Sequence, residues 1–473
     1  MGRTVIAEDN LLPYLIQFAR PDSYVIGLIL GQSTDQRDYV VHLARTPRPA
    51  SKDVKDESIG GGGSSQLLNE VEQLKPLKSI QDVQENWVAD HAKHVTRMLP
   101  GGMWVLGIFI VGPGDLFGDA KAVSRIRAVL HHIKKNLSSN AFLHGNSSSP
   151  EKLALHLCST TQRYTCRSFD TNSMGSSVRP VDWKFQSGST RWHQLDCQYD
   201  LDHIFPTSIE KQTESLKKRL QDILLSVSEN IKSSVCMIDG ELRDSSEALD
   251  ALGKKKKPKA SGKGSNVGEA KPLNVSLYIP CDNNVQKNED VKVVHCCGEM
   301  NFLGNLASRV FLHQKATVEE AVQAVKQDIV RSLASRLELH WDSLIEEEHG
   351  SPEERLTLHE PPRRVLVPLP CCKVTLSDYL FPGEGPSEAL ISLQELLDLQ
   401  VEESDVQKDL EVQADPSEFY ALDAQLEGDV SEDMIPGTMD SQKILFVGLA
   451  IAAVILAISV SMQFSNFFTN TRV

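Results

Sequence analysis

Residues 444–462 read Ile-Leu-Phe-Val-Gly-Leu-Ala-Ile-Ala-Ala-Val-Ile-Leu-Ala-Ile-Ser-Val-Ser-Met, without a charge. As a helix, at roughly 1.5 Å per residue, this stretch is about 28 Å long. The hydrocarbon core of a bilayer is about 30 Å thick. A helix in a water-soluble core keeps a polar face, and this one has none. Its apolar positions are Ile444, Leu445, Phe446, Val447, Gly448, Leu449, Ile451, Val454, Ile455, Leu456, Ile458, Val460 and Met462, with alanines between. Only residues 463–473 follow. The expectation is a single-pass tail anchor, inserted after synthesis, with everything before it forming a head.

The first residues, Met-Gly-Arg-Thr-Val-Ile, contain no apolar run of signal-peptide length. Ile6 also stands where a myristoylation signal needs Ser or Thr. The head is therefore expected in the cytosol. Its nine cysteines, odd in number and irregularly spaced, do not read as a disulfide framework and are expected to be reduced. The net charge is −15. Between Glu395 and Asp440 fifteen acids meet a single base, Lys408. The rest of the chain is close to neutral, which argues against nucleic acid as a partner.

Hydrophobic periodicity sets an order of elements. A short helix is expected over 11–18, a strand over 24–30 and its hairpin partner over 38–44. Residues 86–99 place Val88, His91, Ala92, Val95 and Leu99 on one helical face, and Pro100-Gly101-Gly102 stops that helix. Residues 103–111, Met-Trp-Val-Leu-Gly-Ile-Phe-Ile-Val, form a strand apolar on both sides, which needs cover on both faces. A helix over 120–137 and strands over 153–158 and 163–169 follow. The stretch around Trp183, Phe185 and Trp192 reads as less regular. A strand over 194–204 and a helix over 211–231 come next. Residues 241–269 read as a linker, with Lys254-Lys-Lys-Lys-Pro-Lys259 as a solvated or lipid-facing basic cluster.

A second folded region is expected to contain strands over 291–299 and 307–314. Its long helix, 317–345, opens with the capping box Thr317-Val-Glu-Glu320. Strands over 364–369 and 373–379 complete it. The acidic tract beyond 384 reads as disordered.

The chemistry is sparse. His91 and His94 stand one turn apart, but no third ligand has matching spacing, so core or surface histidines are the better reading. Cys296-Cys297 and Cys371-Cys372 are adjacent pairs, not zinc-closing pairs two residues apart, and read as small apolar strand residues. There is no phosphate-binding glycine loop and no Gly-x-Ser-x-Gly elbow.

Several stretches carry a resemblance. They are Met1-Gly-Arg-Thr, Gly27-Leu-Ile-Leu-Gly-Gln32, Ala44-Arg-Thr-Pro47, Trp87 with His91, and Arg97-Met-Leu-Pro-Gly-Gly102. Arg179-Pro-Val-Asp-Trp-Lys184, Ala321-Val-Gln-Ala-Val-Lys-Gln-Asp-Ile329 and Arg364-Val-Leu-Val-Pro-Leu-Pro370 continue the series. Together they resemble the odorant-response-abnormal-four family, in its vertebrate form, over nearly the whole chain. The resemblance implies an endoplasmic-reticulum membrane protein that helps odorant-type seven-helix receptors leave that compartment. It also implies a partner, the cysteine protease specific for the ubiquitin-fold modifier.

The N-terminal order further resembles an MPN (JAB-type) domain. In active members the strand matching 104–113 ends in His-x-His-Pro, with Ser and Asp further on. Here those metal positions become Ile110, Gly112, Ala120 and Val123, none of which offers a side-chain lone pair to zinc. The resemblance thus implies a pseudoenzyme without metal or cofactor, pairing through its MPN-like part with the protease.

The expected fold class is α/β (α+β). The expected domains are an MPN-like part at 1–205, a helix and basic linker at 206–270, a second α+β region at 271–383, an acidic spacer at 384–443 and the anchor at 444–462. The expected function is a non-enzymatic, tail-anchored adaptor at the reticulum. Two rivals are an isopeptidase with an unrecognised Cys–His site and a tether acting through the anchor helix itself. For the latter, Gly448 with Ala452 and Ala453 with Ala457 are four apart and suit close helix packing.

Overall fold

The long apolar strand and its neighbours build a closed barrel. Its strands are β1 (Thr4–Glu8), β2 (Val25–Ser33), β3 (Arg37–Arg45), β4 (Trp104–Gly112), β5 (Glu151–Cys158), β6 (Tyr164–Asp170) and β7 (Arg179–Gln186). Around the barrel they run β1-β3-β2-β4-β5-β6-β7. Helices α1 (Leu11–Ile16), α2 (Glu85–Met98), α3 (Ala120–Ser138) and the short α4 (Ala141–His144) interrupt them. The computed structural model describes residues 3–35, 37–47, 77–144, 150–173, 175–201, 203–252, 271–280, 294–302, 304–347, 358–370 and 372–411.

β4 is covered on both sides, as its sequence requires. Leu106, Phe109 and Val111 fill the barrel with Val5, Leu43, Leu155 and Trp183. Val105, Ile108 and Ile110 face out against Val88 and Val95 of α2 and Ile126 and Leu130 of α3. A Cβ on Gly107 would meet the Leu153 carbonyl at 1.9 Å, so β5 lies close because that residue has no side chain.

Beyond the barrel the chain adds β8 (Trp192–Asp200), β9 (His203–Ser208), α5 (Leu216–Ser233), β10 (Val235–Ile238), the short α6 (Leu249–Leu252), β11 (Leu273–Tyr278), β12 (Cys296–Phe302) and β13 (Asn305–His313). The 30-residue α7 (Val318–Glu347), β14 (Leu358–His359), β15 (Arg363–Pro368), β16 (Thr375–Leu380) and α8 (Pro386–Leu397) complete it. A four-stranded sheet, β10-β11-β8-β13, packs against α5 and α7. A three-stranded sheet, β14-β12-β9, and the hairpin β15–β16 stand beside it.

The protein is thus mixed α/β, as expected, but its expected subdivision changes. β8, from before the 205/271 boundary, pairs along its whole length with β13 from beyond it. Gly101 also exchanges hydrogen bonds with β13: its N–H donates to Arg309 O, and its carbonyl accepts from Phe311 N–H. A Cβ on Gly101 would meet Val310 at 2.4 Å, and Gly102 has φ +80°. The two glycines therefore do more than end α2; they let the chain lie against β13. The contacts make one unit of Met1–Ala414.

Further corrections are local. β1 and β7 were not expected. β1 is a five-residue strand held between two parallel neighbours, so its stability comes from the ladder more than from local pattern. The strand expected over 194–204 divides into β8 and β9, which join different sheets. The first part of the linker expected over 241–269 is tied down: Leu249 N–H donates to Ala316 O, and Val318 N–H donates to Glu247 O, joining this stretch to the start of α7. The acidic tract begins with a folded helix. In α8, Ala389, Leu393 and Leu397 recur every four residues and are buried, while the acids stay on the wet side. Its C-cap Asp398 adopts the left-handed conformation, φ 55°.

Among the described residues no helix is long and apolar enough to cross a membrane. The anchor expected at 444–462 lies outside the described residues, as does most of the acidic spacer.

Candidate functional site

β4 delivers Ile110 and Gly112 two residues apart on one side of the strand. Ile110 is buried between Ile26 of β2 and His156 of β5. α3 begins at Ala120, capped by Asp119, whose carboxylate accepts the Lys121 N–H at 2.9 Å. Ala120 itself is exposed, and Val123 packs with Ile110 in one apolar cluster. The structure therefore places Ile110 and Gly112 at the end of β4, sets Val123 against the same apolar core, and leaves Ala120 at the surface.

The space beside Gly112 is taken by Tyr24. A Cβ on Gly112 would lie 2.1 Å from the Tyr24 ring. The ring is held from both ends: Tyr24 N–H donates to Leu77 O at 2.8 Å, and its hydroxyl donates to Pro113 O at 3.1 Å. Burial, then the charges of Asp119 and Cys158, raise the phenol above its usual range. A histidine at position 112 has no room while this ring is in place.

A histidine does stand nearby, on the neighbouring strand. His156 Nε2 donates to the Gly112 carbonyl at 3.2 Å, and Phe117 lies edge-on to the imidazole. Desolvation lowers its pKa, so the ring is neutral at physiological pH. Two residues on, the Cys158 thiol sits at the β5–β6 turn. Hydrogen bonds from the Thr161 hydroxyl, and from the backbone N–H groups of Thr161, Thr160 and Gly114, hold it below the usual thiol range. Sequence patterns singled out neither Tyr24 nor His156. The signal for His156 was its place in the strand that pairs with β4. Among the described residues no three His, Cys, Asp or Glu side chains converge to hold a metal ion.

The other sequence candidates take structural roles. His91 is buried: its Nε2 donates to Leu396 O at 2.7 Å, and Nδ1 accepts from the Thr46 hydroxyl at 3.1 Å. Burial pushes its pKa down to about 4. His42 Nε2 donates likewise to Leu397 O at 2.8 Å. These two histidines secure the last carbonyls of α8, which have no partner within the helix. Cys296 and Cys297 lie in β12, the strand position expected of them, and are exposed. Cys372 is half-buried, its thiol raised to about 11 chiefly by burial; Cys371 lies outside the described residues.

A fully buried polar group lies where the parts of the fold meet. Asp328 of α7 receives Arg364 Nη1 at 2.9 Å, Arg331 Nη2 at 3.2 Å and the Ser308 hydroxyl at 2.8 Å. Arg331 also donates to Leu99 O, Pro100 O and Met103 O around the end of α2. Cations are favoured at a helix C-terminus. The acid and both guanidinium groups are fully enclosed, and the arrangement serves cohesion instead of catalysis.

The family model described as "Odorant response abnormal 4-like" matches residues 27–408. The human "Protein odr-4 homolog" is 31% identical over 413 residues, covering 86% of this chain and 86% of the relative. The Xenopus tropicalis homolog is 29% identical over 483 residues, covering 98% and 99%. The Caenorhabditis elegans "Odorant response abnormal protein 4" is 24% identical over 358 residues, covering 74% and 71%. Among solved structures, the crystal structure of UfSP from C. elegans superposes with a TM-score of 0.41 at 8% identity, covering 85% of this chain and 57% of that one. A superposition that loose carries no argument.

Proposed function

The chain belongs to the odorant response abnormal 4-like family, and we propose that it works as a non-catalytic adaptor in the handling of odorant-type, seven-helix receptors. In this reading the barrel with its helices is an MPN-like scaffold that has given up metal chemistry. It pairs with the ubiquitin-fold-modifier-specific cysteine protease. Residues 444–462 hold that pair at the endoplasmic reticulum.

One observation carries the proposal. At the positions where a metal-dependent relative places two histidines, this chain has Ile110 inside an apolar cluster and Gly112 beneath the ring of Tyr24. Replacing one ligand would leave an empty donor set. Here the space itself is filled, which supports a scaffold role for this end of β4.

The rival isopeptidase reading needs a cysteine thiolate with a histidine free to act as its base. Cys158 has a lowered pKa, but its hydrogen-bond donors are a threonine hydroxyl and backbone amides. His156 has its Nε2 committed to Gly112 O.

The test is co-purification from cells expressing the full chain or a deletion of 444–462. The deletion is expected to retain the protease stoichiometrically and to lose the membrane fraction. Loss of the protease from the truncated chain would refute the division of labour. One tightly bound zinc per chain accompanied by peptidase activity would refute the non-catalytic reading.

A further inference from the structure

Among the described residues the exposed thiols are Cys296 and Cys297; Cys166, Cys197 and Cys236 are buried, and Cys158 and Cys372 are half-buried. Cysteine is among the most buried residue types, so an adjacent exposed pair asks for a chemical reason. The pair opens β12 at a break in its ladder with β9. Cys296 pairs with Ser208 and Gly298 with Thr207, which leaves Cys297 as the extra residue of a bulge. Bulges re-aim side chains. The Cys297 thiol is turned back toward β9, 3.5 Å from Thr207 O and 3.6 Å from Ser208 O.

The surface beside the pair is apolar. Ile209 N–H donates to His295 O at 2.9 Å, so Ile209 lies level with the residue before Cys296. Ile209 is 54% exposed, and Val294, one residue further back, is 62% exposed. Large aliphatic side chains left open side by side mark a contact surface. Three familiar thiol partners fit this place badly. A metal ion needs further donors, and no third His, Cys, Asp or Glu converges with the two thiols among the described residues. A disulfide within the pair is strained, because adjacent Cα atoms are about 3.8 Å apart and disulfides span roughly 4.4–6.8 Å. Glutathione is anionic, yet Glu210 and Glu299 stand exposed beside the pair, and Lys211 is committed to Asp222 at 2.6 Å. An uncharged, apolar modifier suits the surroundings.

We propose that Cys296 and Cys297 are a site of S-acylation by a long-chain fatty acyl group. The thiol sulfur attacks the carbonyl carbon of an acyl thioester of coenzyme A. A protein thioester forms, the donor's C–S bond breaks, and the thiol proton leaves with coenzyme A as its free thiol. No oxidant or reductant is consumed. The acyl chain covers Ile209 and Val294 where this face meets a bilayer. Cysteines held close to a membrane are the usual targets of this reversible modification. A single acyl chain binds a membrane only marginally, and a second signal makes the attachment stable. The proposal therefore rests on the reading that residues 444–462 hold the chain at a membrane. Acylation adds a second point of attachment, which lays the β9–β12 face against the lipid.

The test expresses the full chain in cells fed an alkynyl analogue of palmitate. Mass spectrometry is expected to find the label on the peptide carrying Cys296 and Cys297. Neutral hydroxylamine should release it, and a phosphine reductant should not. Cys296→Ser with Cys297→Ser should remove most of the label from the intact chain, and Cys158→Ser should leave it. Ile209→Glu with Val294→Glu should lower it by roughly tenfold, while maleimide labelling of the purified chain stays unchanged. Undiminished label in the double serine variant, label resistant to hydroxylamine, or a reductant-sensitive adduct at these thiols in its place would each overturn the proposal. Carbonate extraction of the same cells separates it from the anchor reading. An unlabelled pair in a chain that stays with the membranes overturns the acylation alone. An unlabelled pair in a chain that carbonate removes overturns the anchor reading with it.

Discussion

Arg336 and Glu411 are 75 positions apart and meet as a two-pronged ion pair, with Nη1 to Oε2 at 2.7 Å and Nη2 to Oε1 at 2.5 Å. Their side chains are 3% and 1% exposed. Glu411 also accepts the backbone N–H groups of Ala307 and Arg364, each at 2.6 Å. One carboxylate thus joins α7, β13, β15 and the end of the described chain.

Removing Glu411 should therefore be costly. Glu411→Ala leaves a buried guanidinium and two backbone donors without their acceptor. A loss of about 3–5 kcal/mol is expected, read by guanidinium chloride unfolding of the full chain. The paired replacement Arg336→Met with Glu411→Leu should lose much less. A change below about 1 kcal/mol in the single variant, the size of an exposed pair, would show that the pair is not enclosed as described.

The filled space beside Gly112 predicts a failed attempt to build a zinc site there. Installing Ile110→His, Gly112→His, Ala120→Ser and Val123→Asp should not create a zinc site while Tyr24 is present. Gly112→Ala alone should destabilise by about 1–3 kcal/mol, the usual range for overpacking. Adding Tyr24→Gly should recover part of that loss. Isothermal titration with zinc and thermal melting measure both effects. Stoichiometric zinc binding with Tyr24 intact would show that the space is open.

His91 gives a pH dependence with a definite sign. Burial lowers its folded pKa to about 4 from the ordinary 6.5 of a free histidine. The unfolded chain then binds the proton first as pH falls. The stability of neutral His91 is complete above about pH 6.5 and is lost progressively down to about pH 4, by up to about 3 kcal/mol. His91→Asn should flatten the stability profile in that window relative to the parent chain. Two parallel profiles would place the titration elsewhere.

Thiol chemistry should separate the cysteines without touching function. Cys158, lowered by its hydrogen-bond donors, is expected to be alkylated by iodoacetamide at neutral pH well before the buried Cys166 and Cys197, both raised by burial. Mass spectrometry of peptides reads the order. Partner retention should survive this modification. Its loss would return weight to a Cys–His mechanism.

Residues 444–462 should be exchangeable. Replacing them with an unrelated tail anchor of the same length is expected to preserve activity in receptor delivery, scored by surface labelling of a seven-helix client. Loss of activity with normal membrane insertion would favour a role for the Gly448 and Ala452 face itself.

The barrel was legible in sequence where one segment carried its own signal. β4 announced cover on both faces through an unbroken apolar run, and α2, α3 and α7 through helical spacing with stop or cap residues. β1 and β7 were not, because a short strand between two neighbours owes its existence to them. The division into two domains failed for a related reason. Nothing local to 192–200 says that its partner is 305–313. Ile110, Gly112, Ala120 and Val123 could be named from a resemblance, but Tyr24 lies 88 residues before Gly112, and no spacing rule connects them. α8 was hidden by composition: its acids drew attention to charge, while Ala389, Leu393 and Leu397 supplied the buried stripe.

Gln32 donates through Nε2 to Gly102 O and Phe311 O, and its Oε1 accepts from His313 N–H. A residue near the start of the chain thus completes its hydrogen bonding on a strand about 280 positions later. β8 likewise waits for β13 before it has a ladder on that side. A chain made from its N-terminus cannot complete its first-made region as an independent unit. Contacts of such separation slow folding and prolong the exposure of unpaired strand edges. This predicts dependence on chaperones during synthesis.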